Sequence, residues 1–454
     1  MCDTMYANAA SPAAGLAAGG ARRSGPWFAK NSDRSPDEPQ SLCLVPAAPQ
    51  GSPLVIGGRA FPADAARHAC ALSRPSWMEG GEMGLNDAGL AIGNEAVFPR
   101  RPPAKDGILG MDLLRAALVA CASADEAADY ICSFVEGHVQ GGNGAYHGKL
   151  YYDNSYLVAD RRGAWIVETA GHRWARKRVE GMASISNCYS LERDWDAVDV
   201  DTAAALAGAG RGHGSWRSFV QNPLYLAFTH GDTRKHLTRE AMERGLGKRA
   251  AVPETGAGAG AAAHGAPGPA SSPDLSVLLS ALRQHGRYIP GRRGSLASPC
   301  VHEGGFPVNN ATTASMAVSW PDDTDACVLW FSGSSLPCVS LFKPILLAGG
   351  SFIPLWTDYD YAEGAASAIE YWKSHREWTR DRRNAALSRD PAFVSARDAA
   401  QAELERITRT ALALYRGKAV GASPARLPDL QREATAIVAS WEETARHFVE
   451  AQRP

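Results

Sequence analysis

Long apolar runs are missing from this chain of 454 residues. The longest, 344–356, is broken by Gly349 and Gly350, and it falls short of the roughly 20 apolar residues that a membrane-crossing helix needs. No basic-then-apolar leader precedes Asp3 either, so no secretory signal is expected. Charge of one sign is not in excess: 47 Lys and Arg stand against 48 Asp and Glu, for a formal net charge of −1. A nucleic-acid-binding surface would show a strong basic surplus. The nine cysteines, at 2, 43, 70, 121, 132, 188, 300, 327 and 338, are odd in number and include no C-x-x-C pair. Such scatter reads as reduced, mostly buried thiols in a cytoplasmic protein, and not as a disulfide frame or a zinc site. What remains is an ordinary globular composition, 45% hydrophobic and 21% charged, with enough apolar material for a large core. Length alone allows one large domain or two or three average ones.

The most informative stretch is the beginning, Met1-Cys2-Asp3-Thr4. Cysteine is small enough for initiator-Met removal, which would leave a residue carrying both a nucleophilic thiol and a free α-amine. A thiol attacks a carbonyl as the thiolate, and an unperturbed pKa of about 8.5 leaves little of it ionised at neutral pH. An α-amine, with a pKa of about 7.7–8.0, is placed to take that proton near working pH. After a Gly/Ala-rich stretch, 27–40 reads as an aromatic-led strand, Trp27-Phe28-Ala29-Lys30-Asn31-Ser32-Asp33-Arg34, breaking into a polar run. A hairpin would lay this strand beside the first. Lys30 and Asp33 would then stand near Cys2, where Lys30 favours the thiolate and Asp33 bonds the α-ammonium.

These residues resemble the secernin/C69 dipeptidase family of N-terminal-nucleophile (Ntn) hydrolases. The resemblance begins with Cys-Asp-Thr, Phe-Ala-Lys-Asn-Ser-Asp-Arg and Asp37-Glu38-Pro39-Gln40. It continues through Trp77-Met78, Glu82-Met83-Gly84-Leu85-Asn86 and Gly93-Asn94-Glu95-Ala96-Val97, then Asn154-Ser155-Tyr156 and Trp165 to Gly171, and ends with Thr312-Thr313-Ala314-Ser315-Met316 and Phe342-Lys343-Pro344. It spans most of 1–345. It implies an α+β protein, an Ntn-hydrolase four-layer αββα sandwich, with cysteine-dependent cleavage of amide bonds in dipeptides or small N-acyl amides. By resemblance to the wider Ntn amidases, Asn94 donates its side-chain amide to the oxyanion, a donor whose loss costs on the order of 10²–10³ in rate. Choloylglycine-hydrolase relatives place an asparagine in a strand like Ser184-Ile185-Ser186-Asn187, which makes Asn187 a second polar contact. The segment Ser215-Trp216-Arg217-Ser218 resembles the one that supplies their active-site arginine. Arg217 reads equally well as an ordinary helix-start residue.

Between these motifs the patterning is regular. Period-two or apolar runs predict strands at 41–45, 90–93, 156–159 and 165–168, with Asn86-Asp87-Ala88-Gly89 as a tight hairpin turn and Asn94 at a strand end. Helical spacing over 107–139 predicts two helices covering a sheet face. Strands at 312–319 and 326–331, with Trp320 to Asp323 as their turn, would form a hairpin in the second sheet. The Ala/Gly/Pro-rich stretch 252–274 reads as a disordered surface insertion, and 11–25 as a milder case. His302-Glu303-Gly304-Gly305 lacks the second histidine of a zinc-protease helix, so no metal and no cofactor are expected. From 361 onward, 365–384, 391–415 and 427–450 read as charged amphipathic helices.

The expectation is one Ntn-type domain over 1–360 with a C-terminal helical subdomain over 361–454, in a cytoplasmic protein. Its partners are a small peptide or N-acyl amide substrate, with no nucleic acid and no membrane, and a homo-oligomer is left open. The candidate catalytic residues are Cys2, Lys30, Asp33, Asn94, Asn187 and Arg217. Two alternatives stand beside the dipeptidase: an amidase for penicillin-like or bile-acid-like conjugates, and a secernin-like regulatory or exocytosis-associated protein without peptidase activity.

Overall fold

The computed structural model describes residues 1–8, 25–61, 67–208, 214–250, 275–288, 296–303, 309–415 and 424–452. The stretches read as insertions, 252–274 and most of 11–25, lie outside the described residues. Two antiparallel sheets make the centre. The first has seven strands in the order Met182–Ser186, Cys2–Ala7, Trp27–Arg34, Ala311–Ser319, Cys327–Phe331, Lys343–Ala348 and Ser351–Pro354. The second has eight, in the order Ala197–Val198, Arg173–Arg178, Gly163–Ala170, Asp153–Asp160, Ala91–Val97, Met83–Asn86, Cys70–Pro75 and Gln40–Val45. The sheets face each other, with Cys2–Ala7 packed against Ala91–Val97. Helices Gly110–Ala120 and Ala124–Gly137 cover the outside of the second sheet, while Gly231–Ala250 and Leu275–Leu282 cover the first. This is a four-layer αββα sandwich.

Both faces of the central strands are buried, so their sequences must satisfy two cores at once. In Asp153–Asp160, Leu157 and Ala159 face the core between the sheets, while Tyr156 and Val158 face the helices. Ser123 caps the second of those helices, its hydroxyl accepting the Glu126 N–H at 3.3 Å. The expected hairpin turn forms as read. Gly89 takes a φ of +85°, and Asn86 Oδ1 accepts the N–H groups of Ala88 at 3.1 Å and Leu90 at 2.9 Å.

Two expectations change. The strand carrying Asn94 runs through Val97, so Asn94 lies in mid-strand opposite Tyr156; pairing with Asp153–Asp160 carries the ladder four residues past the apolar run 90–93. The hairpin of Ala311–Ser319 and Cys327–Phe331 belongs to the sheet that contains Cys2, because Ala311–Ser319 pairs with Trp27–Arg34. Thr312 thereby stands opposite Asp33.

Three long helices follow, Ala366–Thr379, Pro391–Tyr415 and Leu427–Ala451; the second and third match their expected spans, and the first stops at Thr379, short of the expected 384, with a separate turn of helix at Arg382–Ala385. Their buried residues, Phe393, Leu404, Val438 and Trp441 among them, belong to the same core as the first sheet. Polar clamps reinforce this. The Gln401 amide takes both backbone groups of Phe342, at 2.8 and 3.1 Å, and Trp372 Nε1 donates to Thr313 O at 2.8 Å.

Gly110, at the start of its helix, is pressed against the Asn154 side chain. A Cβ there would stand 2.0 Å from Asn154 Cγ. Gly110→Ala is therefore expected to destabilise by about 1–3 kcal/mol through overpacking. Gly137→Ala, at a helix end with nothing within 4 Å of the added Cβ, is expected to be neutral or better. Urea midpoints of the two variants against the parent check the contrast.

Candidate active site

Cys2 opens the first strand in register with Ser32, and both its polar ends are occupied. Its backbone N–H donates to Asn187 Oδ1 at 2.7 Å. Its thiol lies 3.7 Å from Glu82 Oε2, as donor to that carboxylate. Ahead of it, Met1 continues the strand ladder onto Asp33: Met1 N donates to Asp33 O at 2.5 Å, and Asp33 N donates to Met1 O at 2.6 Å. With Met1 in place, burial pushes the Cys2 thiol up to about 12; the Lys30 ammonium pulls it back in part, and Glu82 pushes it further up. The resting group is a thiol, which needs a base before it can attack.

Lys30 spans the gap between the sheets. Its ammonium donates to Asn94 O at 2.7 Å and lies 3.5 Å from Glu95 Oε2 and 4.0 Å from Glu82 Oε2. Burial works against its charge, but Cys2 as the thiolate, Glu95 and Glu82 outweigh burial and hold the amine above its ordinary range. Glu82 is anchored from the other side by Arg34, whose Nη1 reaches its Oε1 at 2.9 Å while Nε and Nη2 bind Glu38.

The second buried ion group sits behind the Cys2 backbone. Arg234, wholly buried in the helix Gly231–Ala250, donates to Asp3 Oδ2 at 3.0 Å, to Asp33 Oδ2 at 3.1 Å, to Asn187 Oδ1 and to Cys2 O. Asp33 also accepts from Thr312 Oγ1 at 2.6 Å, and Asp3 from Ser186 Oγ at 2.7 Å. Burial raises Asp33 to about 6 although the terminal ammonium and Arg234 oppose it; burial likewise raises Asp3. Asn187 lies one residue beyond its strand, with Nδ2 donating to Ala96 O at 2.8 Å, so its carbonyl oxygen is aimed at Cys2 N and Arg234.

Five of the six expected residues therefore belong to one network: Cys2, Lys30, Asp33, Asn187 and, through its backbone carbonyl, Asn94. The Asn94 side chain donates from Nδ2 to Asn154 Oδ1 at 3.0 Å, and its own Oδ1 and Asn154 Nδ2 are buried without partners. Arg217 is not brought to the network. Its guanidinium grips Asp232 with two hydrogen bonds, at 2.9 and 2.5 Å, at the start of the helix that carries Arg234. That role is fastening. Sequence reading missed Arg234, because its helix has no regular apolar face to single out one cation among its neighbours. It also left Glu82 and Glu95 without roles, although both lie inside the motifs that carry the resemblance. Among the described residues, one group of metal-capable side chains is gathered, His285, Cys300, His302 and Cys338, and it does not include Cys2.

No protein-family model matches the chain. Among solved structures it is similar to penicillin V acylase from Agrobacterium tumefaciens, at 12% identity over 75% of this chain and 85% of that one, with a TM-score of 0.39. It is also similar to two variants of conjugated bile acid hydrolase from Clostridium perfringens, each at 11% identity. One match covers 79% of this chain and 98% of that one with a TM-score of 0.40, the other 75% and 92% with a TM-score of 0.41. At these values the site must speak for itself.

The two arginines differ in burial, and their removal should separate them. Arg234→Met removes the one guanidinium bonded to both buried carboxylates, Asp3 and Asp33, and is expected to cost about 3–5 kcal/mol. Arg217→Met breaks a pair whose Asp232 side chain is 47% exposed, worth about 1 kcal/mol or less. Denaturant unfolding measures both. Glu95 gives a pH test. Burial lifts it to about 8 from an ordinary 4.5, against the pull of Lys30. Between those values the folded chain keeps a proton that the unfolded chain has released, so this residue makes stability fall as pH rises through the window, by at most about 1.4 kcal/mol per pH unit. Glu95→Gln is expected to flatten that fall, read as Tm from pH 5 to 8.

Proposed function

We propose that this chain is a cysteine-dependent amidohydrolase of the N-terminal-nucleophile type, cleaving dipeptides or other small N-acyl amides. The observation that carries the reading is the joint engagement of one residue's nitrogen and sulfur. Cys2 N bonds Asn187 Oδ1 at 2.7 Å while Cys2 Sγ meets Glu82 and stands in the field of Lys30. Any buried backbone N–H needs an acceptor, but a cysteine that merely fills space has no use for a buried carboxylate and ammonium at its sulfur.

Removal of Met1 turns Cys2 N into an α-amine. It also releases the Asp33 N–H and C=O that Met1 now occupies. In the acylation step the amine takes the thiol proton and the sulfur adds to the substrate carbonyl carbon. The oxyanion formed is stabilised by the freed Asp33 N–H; the Asn94 side-chain amide expected for this role lies opposite Tyr156 on the helix-facing side of its strand, bonded to Asn154, and points away from Cys2. The C–N bond then breaks as the α-ammonium passes its proton to the leaving nitrogen, leaving a thioester. Water gives a proton to the same amine and adds to the thioester carbon; the C–S bond breaks and the thiol is reprotonated. Lys30 favours the thiolate. Asp33, kept ionised by Arg234, steadies the α-ammonium. The secernin/C69 resemblance supports dipeptides as the substrate class, and penicillin-like or bile-acid-like conjugates are the alternative within the same chemistry.

Intact mass with and without iodoacetamide is expected to show a chain lacking Met1 and one fast-reacting thiol that disappears in Cys2→Ala. Turnover of a panel of dipeptides and N-acyl amino acids is expected to fall by about 10³ or more in Cys2→Ser. An active enzyme that retains Met1, or unchanged turnover in Cys2→Ser, overturns the reading. Hydrolysis of the N-acyl amides alone moves the substrate to the conjugate class. A processed chain that hydrolyses neither favours a secernin-like protein without peptidase activity.

A further inference from the structure

Away from the nucleophile, four side chains from three separate segments converge. His285 follows the helix Leu275–Leu282, Cys300 and His302 lie in the stretch leading toward Ala311–Ser319, and Cys338 sits in the short 3-10 turn Pro337–Val339. Their ligand atoms all fall within 4.8 Å of one another. The two Nε2 atoms are 3.1 Å apart, and His302 Nε2 is 3.3 Å from Cys338 Sγ and 3.7 Å from Cys300 Sγ. Tetrahedral zinc, with bonds of about 2.3 Å to sulfur and about 2.0–2.1 Å to nitrogen, sets its ligands about 3.3 Å (N–N), about 3.6 Å (N–S) and about 3.8 Å (S–S) apart. The cluster already approximates that shape. Cys300, Cys338 and His302 are buried and His285 half-buried. His302 Nδ1 has no hydrogen-bond partner, so Nε2 is the ring's one polar contact.

We propose that His285, Cys300, His302 and Cys338 bind a structural Zn²⁺. Two thiolates and two neutral imidazoles around a divalent cation give a site of zero net charge, which suits this buried place. Thiolate with imidazole is the donor set of a cation of intermediate softness. Four protein ligands leave no open position, so the ion holds structure and performs no chemistry. What it would hold is the support of Trp27–Arg34. Asn31 Nδ2 donates to Leu282 O at 2.8 Å and Pro299 O at 2.9 Å, both beside ligand-bearing segments. Val301, between Cys300 and His302, donates its N–H to Thr312 Oγ1 at 2.9 Å, and that hydroxyl donates to Asp33 Oδ1. The ion thus staples the segments against which the second strand and its Asp33 are set. This inference does not depend on the hydrolase reading.

The test is metal content and spectroscopy of the full chain. Chain purified under reducing conditions without chelator is expected to carry about one zinc per molecule by elemental mass spectrometry. Zinc should be lost in Cys338→Ser and His302→Asn and kept in Cys43→Ser, and a chelator should lower Tm in the parent and in Cys43→Ser but not in the two ligand variants. Because the ligand variants can fail to fold, the parent is also stripped and loaded with Co²⁺, where tetrahedral thiolate ligation gives intense visible bands and a sulfur-to-cobalt charge-transfer band. A folded parent that holds no zinc and gives no such bands with Co²⁺ overturns the proposal, as does a Cys300–Cys338 disulfide in the reduced preparation.

Discussion

One guanidinium holds the negative charge buried at the start of this chain. Arg234 reaches Asp3, Asp33, Asn187 and the Cys2 carbonyl at once, from a helix that lies on the outside of the first sheet. Two carboxylates taken out of water are costly unless a cation and further hydrogen bonds meet them. Here Ser186 and Thr312 supply the remaining donors. The geometry of the first strand's opening residues follows from this pairing, because Asp3 and Asp33 flank Cys2 on two neighbouring strands. The helix that carries Arg234 is fastened in turn by Arg217 to Asp232, by Thr229 to Asn187 O and by Thr238 to Ser184.

A second constraint comes from the two sheets together. Lys30 belongs to one sheet and its partners Asn94, Glu95 and Glu82 to the other or its margin. The ammonium therefore fixes the sheets' relative setting as well as the field at the thiol. Such an arrangement demands close approach, and Gly93, whose added Cβ would meet Lys30 Cδ at 2.7 Å, provides it. The polar cluster is thus a layer within the sandwich, tuned by the same burial that raises Cys2, Asp33 and Glu95 together.

The far end of the chain reaches this layer through the first sheet. Trp372 and Gln401 bind backbone groups at Thr313 and Phe342, and Arg397 donates to Cys338 O. Through Thr312, the strand these helices support carries a hydrogen bond to Asp33. The C-terminal helices, the His285–Cys338 cluster and the second strand form one continuous set of contacts.

Local pattern in the sequence determined much of this protein. The hairpin turn at Asn86–Gly89, the two covering helices, the helix Pro391–Tyr415 and the adjacency of Cys2 to Lys30 and Asp33 were legible, because turn chemistry, apolar periodicity and the pairing of two consecutive strands act between stretches that are neighbours in the sequence. Tertiary structure alone decided which arginine meets the carboxylates, Arg234 and not Arg217, and that Asn94 sits in mid-strand. It also decided that Ala311–Ser319 joins the sheet of Cys2, and that residues 285, 300, 302 and 338 share one place. The reason is physical: each of these depends on contacts between segments far apart in the chain, where the energy comes from burial and charge pairing that no short stretch of sequence displays.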